Sequence, residues 1–169
     1  MNSKLKYGIA FGLAFIAWTM IIFLTGLDTT YIHIGYYSDY LVMILPSVFT
    51  FLAIKADIKN SHIQYKLIKG IKTGWLVNFV GYLIYIPFLI IYHHFINPDW
   101  LKYLLELVEN NLVAQHVMQD VINQKLEIIK QQSTNVNFIL YGFFFGVLIV
   151  GGVLSVISTL IIRKRKKAK

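Results

Sequence analysis

The sequence predicts an all-α integral membrane fold, a bundle of four spanning helices with an amphipathic helical segment on the outer side between the third and fourth. Three observations predict it. Among 169 residues, 57% are hydrophobic and 14% charged, and the mean hydropathy is +0.61; a soluble domain carries about a quarter charged residues to cover its surface. The apolar residues collect in four long blocks, and the basic residues collect on one side of the resulting topology.

The first block, about 7–27, holds no ionised side chain between Tyr7 and Leu27. About 20 residues at the helical rise cross a hydrocarbon core of roughly 30 Å. Lys4 and Lys6 precede the block as in a signal peptide, but its length and the missing A-x-A pattern mark a retained anchor. The second block, about 36–54, has Asp39 near its outer end and Pro46 inside, where a missing backbone donor predicts a kink. The third, about 74–95, carries Asn78 and Pro87 and ends in His93-His94. The fourth, about 138–162, stops at the run Arg163 to Lys167.

Orientation follows from the sorting of positive charge. Thirteen of the 16 Lys and Arg residues lie in the N-terminus, the loop 55–73 and the C-terminus, whereas seven of the eight acids, all but Asp57, lie on the opposite side. The basic side, with both termini, is therefore expected in the cytoplasm. The net charge of +8 is absorbed by this rule, so nucleic acid is not expected as a partner. The chain has no cysteine, which excludes disulfides, thiolate metal sites and cysteine nucleophiles.

Two connections are long enough to have structure. In the basic loop 55–73, Ser61 and Gln64 have capping-box spacing. Ile63, Leu67 and Ile71 then recur every four residues, which predicts a short interfacial helix ahead of the third span. Its Lys66, Lys69 and Lys72, with Arg163, Lys164 and Arg165, are the candidate contacts to anionic lipid. In the outer segment 97–135, Asn97-Pro98-Asp99 is a helix start. Leu101, Leu104, Leu105, Val108 and Leu112 form one apolar stripe; Met118, Val121, Ile122, Leu126 and Ile129 form another. The phase changes around Ala114 to Val117 without a glycine or proline, so one bent helix and a hairpin both fit.

Side chains suited to chemistry are scarce in the blocks. No Asp, Glu, Lys or Arg occupies the middle of a span, which argues against a proton-coupled pump. Asn78 is the most polar deep residue and suits an interhelical hydrogen bond. Gly8 and Gly12, Gly142 and Gly146, and Gly151 with Ser155 stand four apart, the spacing that lets helix backbones approach. His33, His93, His94 and His116 fall on the outer side and are the candidates for a metal site. They show no H-E-x-x-H spacing, and adjacent histidines point about 100° apart on a helix, so neither metal nor cofactor is expected. No Gly-rich phosphate loop, nucleophile elbow or paired-carboxylate motif occurs.

Three segments carry a family resemblance. Gly26-Leu27-Asp28-Thr29-Thr30-Tyr31-Ile32 after the first span, Tyr65 with Gly70 and Gly74 before the third, and Ile96-Asn97-Pro98-Asp99-Trp100-Leu101 after it resemble signatures of the domain of unknown function 4199 family. These are small membrane proteins found mainly in Bacteroidota. The resemblance implies a four-helix membrane fold in a bacterial inner membrane and implies no activity. The leading expectation is a non-enzymatic structural or accessory component acting through membrane lipids, a membrane-protein partner or a second copy. A small-solute carrier or channel, with Asn78, Tyr82 and Tyr85 lining a path, is the alternative. A metal-dependent membrane enzyme is the third reading.

Overall fold

The computed structural model describes residues 3–35, 44–60, 65–134 and 136–167, and every regular element among them is helical. Helix α1 is Ser3–Leu24, α2 is Ile44–Lys59 and α3 is Leu67–Ile91, which runs on through a π-helical turn, Tyr92–Ile96. Helix α4 is Trp100–Ala114 and α5 is Gln119–Thr134. Helix α6, Val136–Phe144, joins α7, Gly151–Lys167, through a second π-helical turn, Phe145–Val150. Among the described residues three helical stretches are long and apolar enough to cross a membrane: Ser3–Leu24, Leu67–Ile96 and Leu140–Ile162.

The stop of α1 comes earlier than the apolar block suggests, because the chain after Leu24 builds its own cap. Gly26 takes φ +72°, its N–H donates to Phe23 O at 2.9 Å, and Leu27 N–H donates to Ile22 O at 2.9 Å. This is the Schellman arrangement, in which a left-handed residue lets the last carbonyls find donors. The Thr25 hydroxyl adds a bond to Ile21 O at 2.8 Å.

Residues 36–43, with Asp39 and the first half of the second block, lie outside the described residues, as do Ser61 to Gln64 and the proposed capping box. Pro46 sits buried in the first turns of α2. Of the short helix expected ahead of the third span, the part from Leu67 is helical and continuous with that span, running 30 residues through the π-helical turn. The reason is packing: Gly70 faces Thr159 and Gly74 faces Ser155 of α7, so helix geometry is rewarded well before the apolar block starts. Lysines 69 and 72 are tolerated there because both residues are exposed, and the Lys69 ammonium lies over the Tyr65 ring.

Contacts climb in step along α1 and α3. Gly8 meets Val80, Gly12 meets Ile84, and Phe23 meets Tyr92 with ring centroids 5.9 Å apart, so the two helices run parallel. Helix α7 runs against α3, with Gly70 opposite Thr159 and Gly146 opposite Tyr82. Helix α2 also runs against α3: Thr73 reaches Asp57 and Asn78 reaches Thr50. Because the glycines lack a Cβ, the backbones approach closely; a Cβ on Gly12 would lie 2.9 Å from Gly81 O.

The segment between α3 and α6 is two helices rather than one bent helix. Gln115–Met118 separates them, and His116 holds φ +56° at the position where a glycine is usual. His116 N–H donates to Val113 O at 2.9 Å and Val117 N–H to Leu112 O at 3.1 Å, which repeats the cap that ends α1. Leu112 and Ile122, one from each apolar stripe, are buried near this turn.

Candidate functional site

Three polar groups of residues mark the helix assembly: one at the basic end, one in the middle and one at the end carrying Asp28. At the basic end Asp57 is an acceptor for three elements. Tyr65 OH donates to its Oδ2 at 2.8 Å, Thr73 Oγ1 lies 2.9 Å from the same oxygen, and Lys4 Nζ stands 3.5 Å away. Lys69 Nζ sits 5.1 Å from the Tyr65 ring centroid. Burial opposes ionisation of Asp57, but the Tyr65 and Thr73 bonds, with Lys4 and Lys69 nearby, outweigh it and leave the carboxyl below its ordinary range. Burial, reinforced by the Asp57 charge, pushes the Tyr65 phenol well above its ordinary value, so it stays a donor.

In the middle, Asn78 is fully buried. Its Nδ2 donates to Thr50 Oγ1 at 3.0 Å and to Gly74 O at 2.9 Å, and Gly151 packs directly on its side chain. Ser155 donates to Gly151 O, which returns its hydroxyl to its own helix. This cluster knits α2, α3 and α7. An Asn78→Ala variant is therefore expected to lower stability by about 1 kcal/mol, the scale of an interhelical hydrogen bond in lipid. Thermal unfolding of the detergent-solubilised protein checks this, and an unchanged midpoint would show that the bonds add nothing.

Residues far apart in sequence meet at the opposite end. Asp28, just past the α1 cap, accepts from Tyr92 OH, and its Oδ2 also accepts from Asn97 Nδ2 at 3.1 Å. The π-helical turn aims these groups: Asn97 N–H closes it on Tyr92 O at 2.8 Å, and both residues are buried. His93 stacks on Trp100, the first residue of α4, with centroids 4.1 Å apart. Asp28 Oδ1 and His93 Nδ1 are buried without a hydrogen-bond partner among the described residues.

Two cavities open here and share the His93–Trp100 stack. One, about 250 Å³, is lined by Asp28, Tyr92, His93 and Trp100 with aliphatic side chains including Ile22 and Leu104. The other, about 400 Å³, is almost wholly apolar and lies beside Tyr82, Tyr85, Leu89, Gly142 and Phe143. It exists because α6 departs from α3 above Gly146. Gly146 packs on Tyr82, whereas a Cβ on Gly142 would meet nothing within 4 Å. The π-helical turn between them leaves Leu148 O to accept from Trp75 Nε1 at 3.1 Å.

The residues singled out by sequence fall into three sets. Gly8, Gly12, Gly146, Gly151, Ser155 and Asn78 lie at helix contacts, and a Cβ on Gly142 would meet nothing within 4 Å among the described residues. Lys66, Lys69 and Lys72 are exposed, although Lys69 also covers Tyr65; Arg163, Lys164 and Arg165 continue α7, and their side chains lie outside the description. The histidines do not gather. His93 lies on Trp100, His94 Nδ1 is 3.0 Å from Ile90 O, His116 occupies the distant turn, and His33 is exposed. Among the described residues no three His, Cys, Asp or Glu side chains converge as metal ligands would.

Asp28, Tyr92, Asn97 and Trp100 were not recognisable as a site from spacing. Asp28, Asn97 and Trp100 do lie in two of the segments that carry the family resemblance, and Tyr65, Gly70 and Gly74 form the third. Those segments converge on the two ends of the assembly.

The helices and their polar contacts define an all-helical protein with apolar helices suited to a membrane. The chain belongs to the family described as protein of unknown function DUF4199, whose model matches residues 6–164, nearly its whole length. No curated protein and no solved structure matches the chain.

Proposed function

We propose that the chain crosses a bacterial inner membrane four times and serves as a non-enzymatic accessory component that acts through lipid or protein contacts. Both termini and the loop 55–73 face the cytoplasm, and residues 97–135 face outward. Charge sorting supports the orientation. The alternating directions of α1, α2, α3 and α7 support four crossings.

The observation that carries the accessory role is the division of polar groups. The Asn78 amide nitrogen is taken up by Thr50 and Gly74 within the packed helices, while the open cavities and the amphipathic pair α4–α5 stand together at the Asp28 end. Met118 and Val113 on that pair are 75% and 52% exposed, large apolar side chains at the turn where a partner or the membrane surface would meet them.

Reporter fusions after Lys59, His116 and Lys167 test the topology: cytoplasmic signals are expected at the first and last, and an external signal at His116. Photo-crosslinkers at Met118 and Val113 in native membranes test the role. The same lipid or protein adduct at both positions is expected, and background products alone would reject it. A carrier for a small neutral solute is a second reading, favoured by the cavity at Tyr82 and Tyr85. The close packing of Thr50, Gly74 and Gly151 around Asn78 opposes it.

A further inference from the structure

We infer that the smaller cavity at the Asp28 end binds a primary ammonium group, the polar head of an aminophospholipid or a free amine. The inference deepens the accessory reading by naming the ligand chemistry, and it takes from that reading only the placement of Asp28 at the membrane surface.

The cavity has the parts that a cation requires. Asp28 supplies one carboxylate. Tyr92 and Asn97 both donate to Oδ2, which orients the group and leaves Oδ1 buried and unpartnered among the described residues. A buried carboxylate oxygen without a donor is costly, and a ligand N–H would satisfy it. The aromatic rings of Tyr92 and Trp100 line the same space, and electron-rich ring faces attract cations. His93 is held against Trp100, which fixes that wall.

The same lining disfavours other ligands. An anion would face Asp28, and none of the lining residues is a Lys or Arg. A divalent metal needs a third converging ligand, which the described residues do not provide. A quaternary ammonium would gain the rings and the charge but has no N–H for Oδ1. A primary ammonium gains all three. The volume, about 250 Å³, suits a head group rather than a larger ligand.

The test uses the full chain in nanodiscs of mixed phosphatidylethanolamine, phosphatidylcholine and phosphatidylglycerol, with retained lipid counted by native mass spectrometry. Phosphatidylethanolamine is expected to be retained about tenfold over phosphatidylglycerol, a ratio within reach of a charge pair plus a cation–π contact. Asp28→Asn keeps an acceptor for Tyr92 and removes the charge, so the preference should disappear. Trp100→Leu keeps the carboxylate and should weaken the preference several-fold, and it carries the test if Asp28→Asn does not fold.

Added ethanolamine distinguishes the sources. Displacement of the lipid supports a head-group site open to free amines, and persistence of the lipid supports a site that also needs the chain. Equal retention of the three lipids by the wild-type protein, or a preference that survives in folded Asp28→Asn and Trp100→Leu, overturns the inference. Crosslinking at Met118 and Val113 reads the accessory role separately, so either idea can fail without the other.

Discussion

Gly81→Val is expected to destabilise the protein by about 2–3 kcal/mol, the cost of forcing methyl groups into a filled helix contact. A Cβ at position 81 would overlap the Phe11 ring, with Phe11 Cγ at 2.9 Å. The ring has nowhere to move. It is fully buried and contacts Phe15 at 4.9 Å, Tyr82 at 5.7 Å and Phe49 at 5.9 Å between centroids. On the other side of the joint, Gly12 abuts Gly81 O, so the backbones cannot part without breaking the α1–α3 seam. Gly142→Val is the matched control. It has the same residue change and no described atom within 4 Å of the new Cβ, so its effect should be near zero or slightly favourable, since Val costs a helix less than Gly. Thermal midpoints of the two variants in detergent decide the matter. Equal losses at both positions would mean that the α1–α3 contact contributes little.

That contrast also shows which parts of the molecule were legible in the sequence. Long uncharged runs announce helices because a lipid-facing segment has no other way to satisfy its backbone. Asn97-Pro98-Asp99 announced a helix start, and α4 begins at Trp100. Glycine spacing announced close contacts but not their partners, so Gly142 and Gly146 looked alike although, among the described residues, a Cβ would meet α3 at Gly146 and nothing at Gly142. The turn at His116 was hidden because its positive φ is usually the work of glycine, and here an imidazole residue accepts it. The start of α3 was legible as helix from the spacing of Leu67 and Ile71, but Lys69 and Lys72 suggested an interfacial place for it, and its packing against α7 through Gly70 and Gly74 was not legible. The site at the Asp28 end was the least legible. Asp28 lies 64 residues from Tyr92 and 69 from Asn97, and no local pattern reports a contact made only when α1 and α3 run side by side.

At the other end of those two helices, Asp57→Ala is expected to cost about 2 kcal/mol near neutral pH, because it leaves the buried Tyr65 hydroxyl without its charged acceptor, while Thr73 keeps Lys69 O at 2.9 Å. Thr73 is fully buried and Tyr65 nearly so, and both reach Asp57 Oδ2. Asp57→Asn keeps a neutral acceptor and should cost about half as much, given that bonds to charged groups are roughly twice as strong. Lys4 adds little by itself, since its ion pair is partly exposed. The pH dependence has a definite sign. The folded carboxyl titrates below its ordinary value of 3.8, so its contribution is complete above that value and is lost as pH falls through the lower folded one. The gap in thermal midpoint between wild type and Asp57→Ala should be constant from neutral pH to about pH 5 and should close in more acidic buffer. A gap that stays constant down to pH 2, or widens, would mean that Asp57 holds Tyr65 and Thr73 without needing its charge.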